Sequence, residues 1–153
     1  MNIPTTRKLM LIGDGGVGKS SLIHWLKVNS FNMKYIPTEY TGIHRVDYAG
    51  QSWEIIDTSG QGKYGDRYMT NLRQITTPDH VMVMYDCTSR LSYRSVEPWV
   101  KSIKNTFGDQ VPITVLANKV DIRYKQINPS ESHVQISCKT GQGIQDLFGV
   151  TSY

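Results

Sequence analysis

The sequence predicts an α/β fold: a mostly parallel six-stranded sheet with helices on both faces. Three observations predict it. Short apolar runs of strand length alternate with segments whose apolar residues recur at helical spacing. The first of those runs ends in a glycine-rich turn that opens directly into a helical segment. Two neighbouring runs are separated only by Gly50-Gln51, a hairpin that sets one antiparallel strand at the edge of the sheet.

Taken in order, Lys8-Leu9-Met10-Leu11-Ile12 reads as the first strand, and Ser20-Ser21-Leu22-Ile23-His24-Trp25-Leu26 as the first helix. Residues 43–49 and 52–56 form the expected hairpin. Val81-Met82-Val83-Met84-Tyr85 has no polar alternation, as in a strand buried on both faces. Val96, Trp99, Val100, Ile103 and Phe107 form a helical stripe, with Pro98 in the first turn, where a missing N–H does little harm. Residues 111–117 give another buried strand, and 133–136 a short last one. Ile144, Leu147 and Phe148 mark the inner face of a closing helix.

The length, 153 residues, suits a single domain over 1–153. The net charge of +4 comes from dispersed basic residues such as Arg7-Lys8, with no basic stripe carrying interleaved aromatics, so a nucleic-acid groove is not expected. Cys87 and Cys138 do not make a secretory disulfide framework, which fits a reducing compartment. No apolar run is long enough to span a bilayer. The first residues lack a signal peptide and the glycine for myristoylation, and the last five lack a cysteine for prenylation. A cytoplasmic chain without a lipid anchor is the expectation, and nucleocytoplasmic placement is compatible with it.

Gly13-Asp14-Gly15-Gly16-Val17-Gly18-Lys19-Ser20 fits G-x-x-x-x-G-K-S, with the strand before it and the helix after it that the motif requires. Glycines let successive N–H groups converge on a β-phosphate, and the helix N-terminus adds partial positive charge. Lys19 supplies a point charge to the β- and γ-phosphates. The Ser20 hydroxyl is a hard oxygen suited to Mg²⁺. This loop specifies a nucleoside triphosphate without naming its base.

The base is read from Asn118-Lys119-Val120-Asp121, which follows Thr114-Val115-Leu116-Ala117. The Asp121 carboxylate offers two acceptors to the adjacent N1–H and N2–H₂ donors of guanine, a pair that adenine lacks. Lys119 would lay its stem along the purine, and Asn118 would tie this loop to the phosphate loop. Within Ser137-Cys138-Lys139 a backbone N–H is positioned to donate to the guanine O6.

Together these residues resemble the Ras superfamily of small GTPases, from Lys8 to Phe148 with all five motifs in order. The resemblance implies the three-layer P-loop NTPase sandwich and a ligand of GTP or GDP with Mg²⁺. Asp57-Thr58-Ser59-Gly60-Gln61 is similar to the family's D-T-A-G-Q. It implies that Asp57 meets Mg²⁺ through a water, that the Gly60 N–H senses the γ-phosphate and that Gln61 orients the attacking water. Thr38 stands eighteen residues after Ser20, the spacing of the switch I threonine that joins Ser20 and Asp57 around the metal; Thr41 is the competing candidate. Lys19, Thr38, Gly60 and Gln61 are the implied hydrolytic set. Phe31, at the guanine edge or in the core, together with Ser21 and Tyr35, completes the implied nucleotide contacts. Asp86-Cys87-Thr88-Ser89-Arg90 with Tyr93, Val96 and Trp99 looks most like Ran, with Rab close behind, which implies a role in intracellular transport.

Several departures qualify the resemblance. Ser59 replaces an alanine, and Gly62 follows Gln61 where an acidic residue is usual. Only fifteen residues separate Asp121 from Ser137, so the helix before the last strand should be reduced to a turn, and the final helix should be short. The losses expose a flank where another chain, or a second copy of an otherwise monomeric protein, would dock. Two functions remain open. One is a slow GTPase switch whose effectors, exchange factor and GTPase-activating protein engage the segments around Thr38 and Gly60. The other is a non-cycling decoy that sequesters the partners of such switches.

Overall fold

In a computed structural model the described residues are 5–29, 42–48, 50–58, 73–74, 77–122 and 126–149. Strands β1 (Arg7–Ile12), β2 (Gly42–Tyr48), β3 (Gln51–Asp57), β4 (His80–Asp86), β5 (Ile113–Asn118) and β6 (Val134–Gln135) form one sheet of order β2-β3-β1-β4-β5-β6. All neighbouring pairs are parallel except β2 with β3, which is the hairpin edge expected from the sequence. The chain departs from β1 to one side of the sheet and returns on the other, so the crevice at the carboxyl end of β1 is the topological switch point, where open α/β sheets hold ligands.

Helices α1 (Lys19–Val28) and α3 (Val96–Phe107) cover opposite faces, because alternate β1 side chains point to opposite sides of the pleat. Leu9 and Leu11 pack with Leu22, Ile23 and Leu26 of α1 and with Ile144. Met10 and Ile12 pack with Trp99 and Ile103 of α3, against which Val96, Val100 and Phe107 also lie. The stripe read from the sequence is therefore the face that α3 buries. In α4 (Ile144–Gly149), Ile144 is buried and Leu147 lies partly buried against the same core as α1, while the Phe148 side chain lies outside the described residues.

Four details differ from expectation. The short helix α2 (Arg90–Arg94) has no counterpart in the apolar pattern, since Ser92 is its only buried residue. Its start is polar: the Ser89 hydroxyl accepts from the Ser92 N–H at 3.3 Å. Strand β5 begins at Ile113 instead of residue 111, because Pro112 has no N–H and contributes only its carbonyl, which accepts from Val81 N. Strand β6 is two residues long, and His133 leaves the ladder to place Nδ1 3.0 Å from the Tyr85 hydroxyl. Strand β3 begins at Gln51 instead of residue 52, because Gln51 pairs with Tyr48 and so belongs to the ladder and not to the turn; residue 49, expected at the end of β2, lies outside the described residues.

The described residues between β5 and β6 contain no helix, as the shortened spacing predicted. Cys87 and Cys138 are both free thiols. Among the described residues no helix is long and apolar enough to cross a membrane.

Candidate functional site

The phosphate-loop sequence joins the end of β1 to the start of α1, and two of its glycines carry left-handed backbone: Gly16 at φ 81° and Gly18 at φ 108°. Gly18 is required for a second reason. A Cβ there would run into the side-chain amide of Asn118, so only glycine lets the two loops close on each other. The Asn118 side chain uses that approach. Its Nδ2 donates to Val17 O at 2.8 Å, and its Oδ1 accepts from Cys138 N at 3.1 Å. One buried amide thus clamps three segments that lie far apart in sequence. The tie expected between the two loops is present, and it extends to the loop after β6.

Lys19 is 5% exposed and folds its ammonium back to donate to Gly13 O at 2.6 Å and Asp14 O at 3.0 Å. Burial pushes its pKa below the ordinary lysine value, opposed by the Asp57 and Asp14 carboxylates. A desolvated cation on loop carbonyls is a ready partner for an entering polyphosphate. Ser20 Oγ donates to Asp57 Oδ2 at 3.3 Å, bringing a hydroxyl from the first turn of α1 and a carboxylate from the end of β3 to one point. Both are hard oxygen donors of the kind that Mg²⁺ takes, and the pairing fits an ion that draws its other ligands from water and phosphate. Among the described residues no cluster of three or more His, Cys, Asp or Glu residues could form an all-protein metal cage.

The base-reading loop is held at both ends. Lys119 sits at φ 68°, a strained position for a non-glycine residue. Its ammonium reaches Gly16 O at 3.1 Å and Asp86 Oδ2 at 2.9 Å, so its stem spans the space between the loops. Burial alone would raise the Asp86 carboxyl, but hydrogen bonds from Thr88 and Lys119 draw it below the ordinary carboxylate value. Ser137, fully buried, donates from Oγ to Asp121 Oδ1 at 2.7 Å and accepts from Thr140 N at 3.1 Å. This bond orients one carboxylate oxygen of Asp121. Cys138 lies half-buried beside Gly18, and burial pushes its thiol up to about 11, so it stays protonated and chemically quiet.

Two cavities open along these residues. One, of about 290 Å³, is lined by Gly15, Gly16, Gly18, Lys19, Ser20, Ser21 and Lys119. The other, of about 320 Å³, is lined by Gly18, Ser21, Asn118, Lys119, Asp121, Ile122, Cys138 and Lys139. They share Gly18, Ser21 and Lys119 and are the two ends of one cleft. Its first end presents loop N–H groups, an ammonium and a hydroxyl. Its second presents a carboxylate and a lysine stem.

Sequence reasoning missed three contributors. Asp86 anchors Lys119; the signal was its position at the end of β4, in register with Asn118 at the end of β5. Ser95 Oγ donates to Asp14 Oδ2 at 2.6 Å, and Trp99 Nε1 to Asp14 Oδ1 at 3.1 Å. The Asp14 carboxylate is therefore turned onto α3 and braces the loop from behind, a role that no local pattern signals. Phe31, Tyr35, Thr38, Thr41, Ser59, Gly60, Gln61 and Gly62 lie outside the described residues. The sequence matches the family model described as Ras family over residues 8–151.

Proposed function

The chain belongs to the Ras family of small GTPases, and we propose that it is a single-domain guanine-nucleotide switch that hydrolyses GTP slowly and engages its regulators and effectors through the segments around Thr38 and Gly60. Family members in general bind GTP or GDP with Mg²⁺ and act on GTP. The observation that carries the finer reading is the two-ended cleft, in which Asn118 fastens a phosphate cradle to a loop bearing an oriented Asp121 carboxylate.

In this reading Lys19 leaves the Gly13 and Asp14 carbonyls for the β- and γ-phosphates, while loop N–H groups and the α1 N-terminus hold the β-phosphate. Asp121 accepts from guanine N1–H and N2–H₂. The Lys119 stem covers the purine face, and a backbone N–H of residues 137–139 meets O6. Ser20, Thr38 and Asp57 would hold Mg²⁺, which supplies charge neutralisation on the phosphates when bound. Gln61 orients the attacking water and the Gly60 N–H reads the γ-phosphate. No arginine is assigned to act in cis, so turnover stays slow until a partner supplies one. The Asp86-to-Trp99 segment supports a Ran- or Rab-like role in intracellular transport, with the protein in the cytoplasm or shuttling to the nucleus.

The test is to purify the chain, identify co-purified nucleotide by chromatography, and follow single-turnover hydrolysis of bound GTP with Mg²⁺ in parent and Gln61→Leu. The switch predicts bound GDP, slow conversion, and slower conversion in the variant. Ser59 and Gly62 favour the second reading, a non-cycling decoy, which predicts retained GTP and no effect of the variant. Absence of guanine nucleotide under all conditions overturns both.

A further inference from the structure

A cavity larger than either end of the nucleotide cleft lies outside it, on the flank where the connection between β5 and β6 is trimmed. It measures about 730 Å³, within the range of sites that enclose a ligand or an anchoring side chain. Its lining from α2 is Arg90, Tyr93 and Arg94, and the opposing wall is residues 126–128, Gln-Ile-Asn. Thr88 closes one end.

Three features of this cavity point to the chemistry of its occupant. First, among the described residues its lining contains two guanidinium groups and no carboxylate. Arg90 and Arg94 stand at i and i+4 of one helix and so share a face, where like charges repel. Among the described residues neither makes an ion pair or a side-chain hydrogen bond. Second, the cavity offers an apolar surface: Tyr93, which lines it, is 38% exposed, one of the few large hydrophobic side chains that the described residues expose. Third, both walls are tied to the body of the fold by ring contacts and hydrogen bonds. The Tyr93 ring stands edge-on to Tyr85 at 5.2 Å, and Tyr85 is itself held against His133. Opposite, Gln126 Nε2 donates to Val120 O at 3.2 Å and Ile122 O at 3.3 Å, and Ile127 N donates to Cys87 O at 2.7 Å.

Paired, unneutralised arginines beside a partly exposed tyrosine have the composition of a protein-binding hot spot, where Arg and Tyr are enriched. We propose that this cavity is a docking site for an acidic peptide segment of a partner protein, with carboxylates meeting Arg90 and Arg94 and an apolar side chain lying against Tyr93. The occupant follows from charge complementarity. A second copy of this chain, at net +4, is poorly matched to a site that is itself cationic. The proposal uses none of the nucleotide-binding residues and stands independently of the switch reading.

The experiment titrates a fluorescein-labelled peptide of alternating glutamate and leucine into the full-length chain, reading anisotropy and the backbone amide NMR shifts. Saturable binding that moves the amides of Arg90, Tyr93, Arg94 and Ile127 is expected. Reversal of two exposed ion pairs predicts about tenfold weaker binding in the R90E/R94E double variant, with bound nucleotide unchanged as the check on folding. If that variant does not fold, R90Q/R94Q removes the charges without reversing them and must weaken binding in the same direction. The proposal is overturned if the peptide leaves these amides unmoved, or if the folded variant binds as tightly as the parent. A lysine-leucine peptide binding equally well, or citrate or inorganic phosphate alone reproducing the same shifts, also overturns it. So does concentration-dependent self-association through these same amides, which would assign the face to a second copy.

Discussion

Replacing Asn118 with alanine removes the clamp that joins the two ends of the cleft. The side chain is 2% exposed, and its two bonds serve the Val17 carbonyl at 2.8 Å and the Cys138 N–H at 3.1 Å. Leaving a buried backbone group unpaired costs about 1–3 kcal/mol, so the two losses together predict about 3 kcal/mol. That corresponds to a change of roughly a hundredfold in an equilibrium constant. The parent holds the phosphate loop and the base loop in register before any ligand arrives. In the variant the entering nucleotide must itself order them, so most of the change should appear as faster nucleotide release. The assay is the dissociation rate of fluorescent GDP, with urea unfolding of the nucleotide-free chain measured in parallel. Asn118→Asp sharpens the test: it keeps an acceptor for Cys138 N but sets a carboxylate oxygen against Val17 O, so release should be at least as fast as in the alanine variant. A folded Asn118→Ala chain that releases GDP within about twofold of the parent rate would refute the reasoning, because the clamp would then carry almost none of the expected energy.

Asp121→Asn should shift preference from guanine toward xanthine nucleotides, since an amide now faces the position where xanthine presents a carbonyl; competition binding checks it, and an unchanged preference undoes the base-loop assignment. Ser137→Ala removes the bond that orients Asp121 Oδ1. One hydrogen bond to a charged group is worth about 1.5–3 kcal/mol, so GDP affinity by calorimetry should fall by roughly tenfold or more, with guanine preference retained. Burial holds His44, His80 and His133 below their ordinary 6.5. Folding therefore favours the neutral form of each more than the unfolded chain does, so the stability they contribute is present above 6.5 and is lost as pH falls through their lowered values. The thermal midpoint should therefore drop as pH falls below 6.5. His80→Gln, which can keep a bond to Thr114, should flatten that decline; an equally steep decline would rule His80 out as a contributor.

Much of the sheet was legible because its signals are local. The β2–β3 hairpin (though not its turn position, since Gln51 pairs within β3), the two-sided burial of β4 and the Val96-to-Phe107 stripe each follow from the spacing of apolar residues over a few turns or pleats. Where the structure departs, the local signal is weak or points elsewhere. Helix α2 is five residues with one buried side chain and so leaves no apolar period. Strand β6 starts only after His133, whose backbone N–H closes a turn onto Ser130 O and whose ring meets Tyr85.

The site divides along the same line. The sequence alone determined its chemistry. The glycines, Lys19 and Ser20 are contiguous, and Asn118 to Asp121 form one short turn, so the reading of a polyphosphate cradle and a guanine-reading loop rests on their residue types and spacing without reference to the rest of the chain. Tertiary structure alone decided how those pieces are held. The Asn118 bond to Val17 crosses 101 residues, the Asp14 bonds to Ser95 and Trp99 cross 81 and 85, and Ser20 meets Asp57 across 37. The flank cavity faces Arg90 and Arg94 with residues 126–128 in the same way. Which distant side chains meet is set by strand order and register, and those are fixed by the packing of two helical layers on the whole sheet, a sum over many contacts that no short stretch of sequence contains.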